Sequence, residues 1–162
     1  MRIRPAICRI DRLHNDRGFT LVEVLLVTVI VGILASMATP QLQRALEKAK
    51  IAAAIGDIDA IGWDIVEYEL GNAVFPTSLA AVGWGSRLDP WGNPYEYLKI
   101  KGTSGGRGQM RKDRFLVPIN SDFDLYSMGP DGKSASPLTA KISHDDIVRA
   151  NDGGFVGVAA DY

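Results

Sequence analysis

One carboxylate, Glu23, stands near the start of a stretch, residues 19–40, that is otherwise free of charge. That stretch has roughly the 20 residues a helix needs to cross the hydrocarbon of a bilayer. A charge at the bilayer centre costs about 2.5–3.5 kcal/mol on insertion scales. Lying near the end of the run softens that cost for Glu23 without removing it. A carboxylate kept there calls for a partner; the plainer reading is a signal-anchor whose glutamate snorkels to the interface. A secretory signal peptide fits poorly, because its apolar region is only about 7–15 residues long. Ala35-Ser36-Met37-Ala38 imitates a signal cleavage site weakly.

Charge sets the orientation. Residues 1–18 hold five arginines (Arg2, Arg4, Arg9, Arg12, Arg17) against Asp11 and Asp16, and positive flanks stay cytoplasmic. The remainder is expected on the periplasmic or outer side. It carries 13 basic against 17 acidic residues, which gives no sign of a general nucleic-acid binder. Cys8, the single cysteine, lies in the leading segment, so residues 19–162 can form no disulfide.

Gly18-Phe19-Thr20-Leu21-Val22-Glu23-Val24 resembles the processing site of class III signal peptides, shared by type IV pilins and type II secretion pseudopilins. The resemblance implies a peptidase that cuts between Gly18 and Phe19 and methylates the new amine of Phe19. It also implies that Glu23 pairs with that amine on a neighbouring copy during filament assembly. Tyr68-Glu69-Leu70-Gly71-Asn72 and Asp89-Pro90-Trp91-Gly92-Asn93-Pro94-Tyr95 are similar to the pseudopilin segments where the helix stops and the sheet opens. Many type IV pilins staple the C-terminal region with a disulfide, whereas major pseudopilins use calcium there. The cysteine count favours the second.

The pattern downstream predicts an α+β chain: a long N-terminal amphipathic and transmembrane helix, then a small antiparallel sheet head group. Pro40 should kink or loosen the helix without ending it. Beyond it, Leu42, Ala45, Leu46, Ala49 and Ala53 form one apolar stripe, and Ile51, Ala54, Ile55, Ile58, Ile61, Ile65 and Tyr68 a second. Gly71-Asn72 is expected to end the helix through the left-handed freedom of glycine. The divisions read as 1–18 leader, 19–40 transmembrane and filament-core helix, 41–71 periplasmic continuation, and 72–162 head group. Strands are expected over 95–100, 115–117 and 123–128, with a flexible loop at 102–108. Asp89-Pro90-Trp91-Gly92 has the composition of a type I turn, with Trp91 as packing. Lys99, Lys101, Arg107, Arg111, Lys112 and Arg114 form a basic cluster, read either as a solvated loop or as an assembly contact.

One constellation carries site chemistry. Ser127-Met128-Gly129-Pro130-Asp131-Gly132 and Ser143-His144-Asp145-Asp146-Ile147 match the two ends of the pseudopilin calcium loop. The resemblance implies the Met128 carbonyl, Asp131, Asp145 and Asp146 as calcium ligands, with Ser143 a weaker candidate. Calcium takes 6–8 oxygen ligands of these kinds. The segment between the two ends is longer than in the family, and Asp145-Asp146 could instead cap a helix at 147–149. His144 lacks the companions of a zinc set or a nucleophilic dyad, and no Gly-x-Ser-x-Gly elbow is present, so no catalytic residue is assigned.

The resemblance implies the major pseudopilin of a type II secretion system, a non-enzymatic subunit of a helical homo-oligomeric filament. Its expected partners are minor pseudopilins, an inner-membrane assembly platform, the prepilin peptidase and methyltransferase, and the membrane itself, with no nucleic acid. Its expected place is the bacterial inner membrane, single-pass, and then the periplasmic filament. Two alternatives stay open: a major or minor type IV pilin for adhesion, motility or DNA uptake, and a singly anchored periplasmic binding protein or enzyme.

Overall fold

The computed structural model describes residues 18–102 and 108–162. Cys8 and the five leader arginines lie outside the described residues, as do Arg107 and most of the expected 102–108 loop. The chain divides into two compact units after Leu42.

Helix α1 runs from Leu21 to Asn72, 52 residues. Thr20 starts it: its Oγ1 accepts the Glu23 backbone N–H at 3.2 Å and its carbonyl accepts that of Val24, satisfying donors that a helix start leaves orphaned. Glu23 in the first turn also complements the positive end of the helix dipole. Pro40 lies inside the helix and does not end it. The hydroxyls of Ser36 and Thr39 donate to the carbonyls of Ile33 and Ala35 just before the proline interrupts the ladder. At the other end the helix stops at Asn72, where Gly71-Asn72 is expected to end it, but Gly71 itself stays helical and is not the left-handed residue. Ala73 takes the left-handed conformation instead (φ 57°), its N–H bonded to the Glu69 carbonyl at 2.7 Å.

Within the second unit, the isoleucine stripe of α1 faces the head group. Ala54, Ile58, Ile61 and Ile65 are fully buried, while Leu46 of the other stripe stays exposed. A short 3-10 turn, Leu79–Val82, follows the helix. The sheet has four strands in the order β1 (Tyr95–Lys99), β2 (Phe123–Ser127), β3 (Ile147–Ala150) and β4 (Phe155–Val158), each pair antiparallel. The expected strand at 115–117 does not form. Asp113 and Leu116 exchange backbone hydrogen bonds around a tight turn with Arg114 at φ 44°, leaving Phe115 fully exposed. In its place the C-terminal hairpin of β3 and β4 completes the sheet.

Strand alternation sorts the core into two layers. Phe123, Leu125, Ile147 and Tyr95 point toward the isoleucines of α1, with Phe75, Leu79 and Trp84 beside them. On the opposite face Val148 and Ala150 pack with Ile119, Leu138 and Ala159. The sheet is therefore covered on one side by the helix and on the other by the segments around Ile119 and Leu138.

Candidate functional site

Among the described residues, three regions bear on function. The first is the start of α1. Phe19 and Leu21 are more than four-fifths exposed, and no residue from 18 to 46 is buried. By length and composition this helix is long and apolar enough to cross a membrane. Gly18, Phe19 and Glu23 lie together at the helix start, with the Glu23 backbone bonded to Thr20. Contiguous apolar surface on this scale needs lipid or another protein to cover it.

The second is a ladder between α1 and the head group. Trp91 Nε1–H donates to Glu47 Oε1 at 3.0 Å, the Tyr95 hydroxyl to Asp57 Oδ2 at 2.7 Å, and Trp84 Nε1–H to Asp64 Oδ2 at 2.6 Å. Each donor belongs to an aromatic ring that packs in or against the core. The acids look like solvent-facing charges in the sequence, and nothing local marks them as acceptors. Asp89 holds the adjoining turn: Oδ1 accepts the N–H groups of Trp91 and Asn93, Oδ2 accepts the Ser127 hydroxyl, and its carbonyl accepts Gly92 N–H at 3.0 Å. Burial, aided by the Asp57 bond and charge, pushes the Tyr95 phenol far above its usual range. Tyr97, which donates to the Pro76 carbonyl at 2.9 Å, is pushed up to about 12 by burial and then by Asp122.

The third region is the loop predicted for calcium. Asp131 and Asp145 come together: the Asp131 backbone N–H approaches Asp145 Oδ2 at 3.3 Å, and Gly129 (φ 63°) sits directly against the Asp145 carbonyl. Met128, half-buried, borders the same turn. Ser143 is buried, and its hydroxyl donates to the Ala135 carbonyl and accepts the Ala135 N–H. That pair of hydrogen bonds closes the long segment between the two ends. His144 is exposed.

Asp146 goes elsewhere. Fully buried, its Oδ2 receives Arg111 at 2.5 Å and the Ser134 hydroxyl. Arg111 also donates to Ser134 Oγ and to the Ala135 carbonyl, and its guanidinium lies 4.2 Å from the Tyr126 ring centroid. Its own backbone N–H is held by the buried Asp124 carboxylate at 2.6 Å. Burial pushes the Asp146 carboxyl above its ordinary value, and the Ser134 bond and Arg111 oppose that rise. Asp124 is pushed up by burial as well.

As these side chains stand, the four donors do not fit one calcium ion. Among the described residues no three acidic, histidine or cysteine side chains are gathered closely enough to hold a metal. A divalent ion on Asp146 would also sit beside the Arg111 guanidinium, where like charges repel strongly. Asp146 Oδ1 is buried without a hydrogen bond, but so is Arg111 Nε. The leftover acceptor and the leftover donor belong to the same ion pair, which is joined through Nη2 and Oδ2 alone.

Arg111 therefore leaves the surface cluster in which its sequence places it. Lys101 of that cluster pairs with Glu69 of α1 at 3.1 Å. Arg149, in the middle of β3, pairs with Asp122 at 2.7 Å and lies 4.0 Å from the Phe123 ring centroid.

A family model described as the prokaryotic N-terminal methylation motif matches residues 13–39. The chain is 36% identical over 141 residues to type II secretion system core protein G of Pseudomonas aeruginosa, covering 74% of this chain and 87% of that protein. It is 34% identical over 148 residues to the Vibrio cholerae protein of the same name, covering 79% and 90% of the two chains. Against the Escherichia coli K12 protein of that name it is 35% identical over 140 residues, covering 74% and 85%. No solved structure gives a significant match.

Proposed function

This chain belongs to the type II secretion system core protein G family, and we propose on that premise that it is the major pseudopilin of such a system. In this reading it is a structural subunit, drawn from the inner membrane into a periplasmic filament that drives export of folded proteins. The observation that carries the proposal is the uncovered apolar length of α1 led by Phe19 and Glu23. Before assembly lipid covers that surface. After assembly, helices of neighbouring copies replace the lipid, with packing supplying the attraction.

Processing and polymerisation are linked through charge. Cleavage between Gly18 and Phe19 creates an amine four residues from Glu23. Between neighbouring copies, amine and carboxylate offset each other's desolvation and fix the stagger of successive subunits. The chain is then a substrate of the prepilin peptidase and a building block, with force supplied by other components. Minor pseudopilins and an inner-membrane assembly platform are its expected partners.

Intact-mass measurement of the protein purified from its native membrane tests this reading. The expected species begins at Phe19 and is one methyl group heavier than the unmodified 19–162 chain. A protein that still begins at Met1 overturns it.

A further inference from the structure

We propose that Arg111 is the built-in cation of the C-terminal loop, holding Asp146, Ser134 and Ala135 together so that this head group folds without calcium. The groups that converge on the guanidinium are a carboxylate, a hydroxyl and a backbone carbonyl. These are the oxygen types that a hard divalent cation takes. Here a planar side-chain cation takes them, and its fork reaches all three without an ion from outside. Ser134 links two of them, accepting from Arg111 and donating to Asp146.

The surroundings commit the arginine to this place. Arg111 is 2% exposed and Asp146 is fully buried, so neither charge has water as an alternative partner. Asp124 grips the Arg111 backbone N–H, and the Arg111 carbonyl accepts the Ile119 N–H. Tyr126 lies against one side of the guanidinium. The neighbouring backbones are joined too: Lys112 N–H bonds the Ser136 carbonyl at 3.1 Å and Leu138 N–H bonds the Lys112 carbonyl at 2.8 Å. The segment carrying the cation and the segment carrying its ligands are thus one unit. Asp131 and Asp145 remain at the edge of the loop, where Asp131 Oδ1 accepts the Lys133 N–H.

The test compares thermal unfolding of the detergent-solubilised mature chain in EGTA and in millimolar calcium. The proposal expects the two melting temperatures to agree within about 1 °C. A specific ion at about a hundred times its dissociation constant would raise the midpoint by several degrees, and such a rise in the wild-type chain overturns the proposal. Arg111→Met should lower the midpoint by more than about 5 °C, because it strands a buried carboxylate. Arg111→Lys should recover only a small part, since an ammonium cannot span three acceptors in a plane. A wild-type midpoint for either variant contradicts the assignment. Should Arg111→Met fail to fold, the calcium comparison on the wild-type chain still decides. The outcome is independent of the family reading, which the mass of the N-terminus tests.

Discussion

Trp91 Nε1–H donates to Glu47 Oε1 across 44 residues of sequence, fastening the turn before β1 to the side of α1. Tyr95 on Asp57 and Trp84 on Asp64 repeat the arrangement further along the helix. In each case the aromatic body fills the core side and the polar tip meets a carboxylate, the division of labour that suits tryptophan and tyrosine. The ladder adds direction to the non-directional burial of Ile58, Ile61 and Ile65.

Removing one donor while keeping a ring should expose its value. Trp84→Phe leaves the Asp64 carboxylate without its 2.6 Å partner. A hydrogen bond to a charged group contributes about 1.5–3 kcal/mol. Urea denaturation of the mature chain should show a loss of about that size, the smaller ring adding to it. No change in midpoint would mean that the bond is not formed in solution.

Alkaline stability follows from Tyr97. Its folded pKa stands at about 12, raised from 10.0, so the native state keeps the phenol proton more tightly than the unfolded chain. The stabilisation is complete below pH 10 and is lost as pH rises from 10 through about 12. Unfolding measured across that window should show a falling limb, shallower in Tyr97→Phe, which cannot ionise. A limb of equal slope in both proteins would place the ionisation elsewhere.

Gly129 tests the turn that brings Asp131 to Asp145. Its φ is 63°, and a Cβ there would lie 2.3 Å from the Asp145 carbonyl oxygen. Gly129→Ala should cost about 2–4 kcal/mol from strain and collision together. Gly108→Ala, which meets nothing within 4 Å, serves as the control and should stay within about 0.5 kcal/mol. Equal stability of the two variants would mean the loops do not meet as described.

Local pattern made α1, the Asp89 turn, β1 and β2 legible, because each rests on residues that are neighbours in sequence. The β3–β4 hairpin escaped for a specific reason. Asp145-Asp146 ahead of 147–149 reads as a helix cap, although Asn151-Asp152-Gly153-Gly154 between two β-branched segments was the available hairpin signal. All three of Asn151, Asp152 and Gly153 adopt positive φ there. Arg111 left no such signal. Apart from Met110 its sequence neighbours are charged or polar, and only the approach of Tyr126, Ser134 and Asp146 makes it a core residue. Long-range electrostatics of that kind is set by the fold and not by periodicity.

The most direct test of the account is filament assembly by Glu23→Ala, scored beside cleavage of the same variant. The predicted result is normal membrane insertion and normal loss of 1–18, with no filaments, because the amine of each incoming Phe19 lacks its carboxylate. Cleaved Glu23→Ala subunits that polymerise as the wild-type chain does would contradict it.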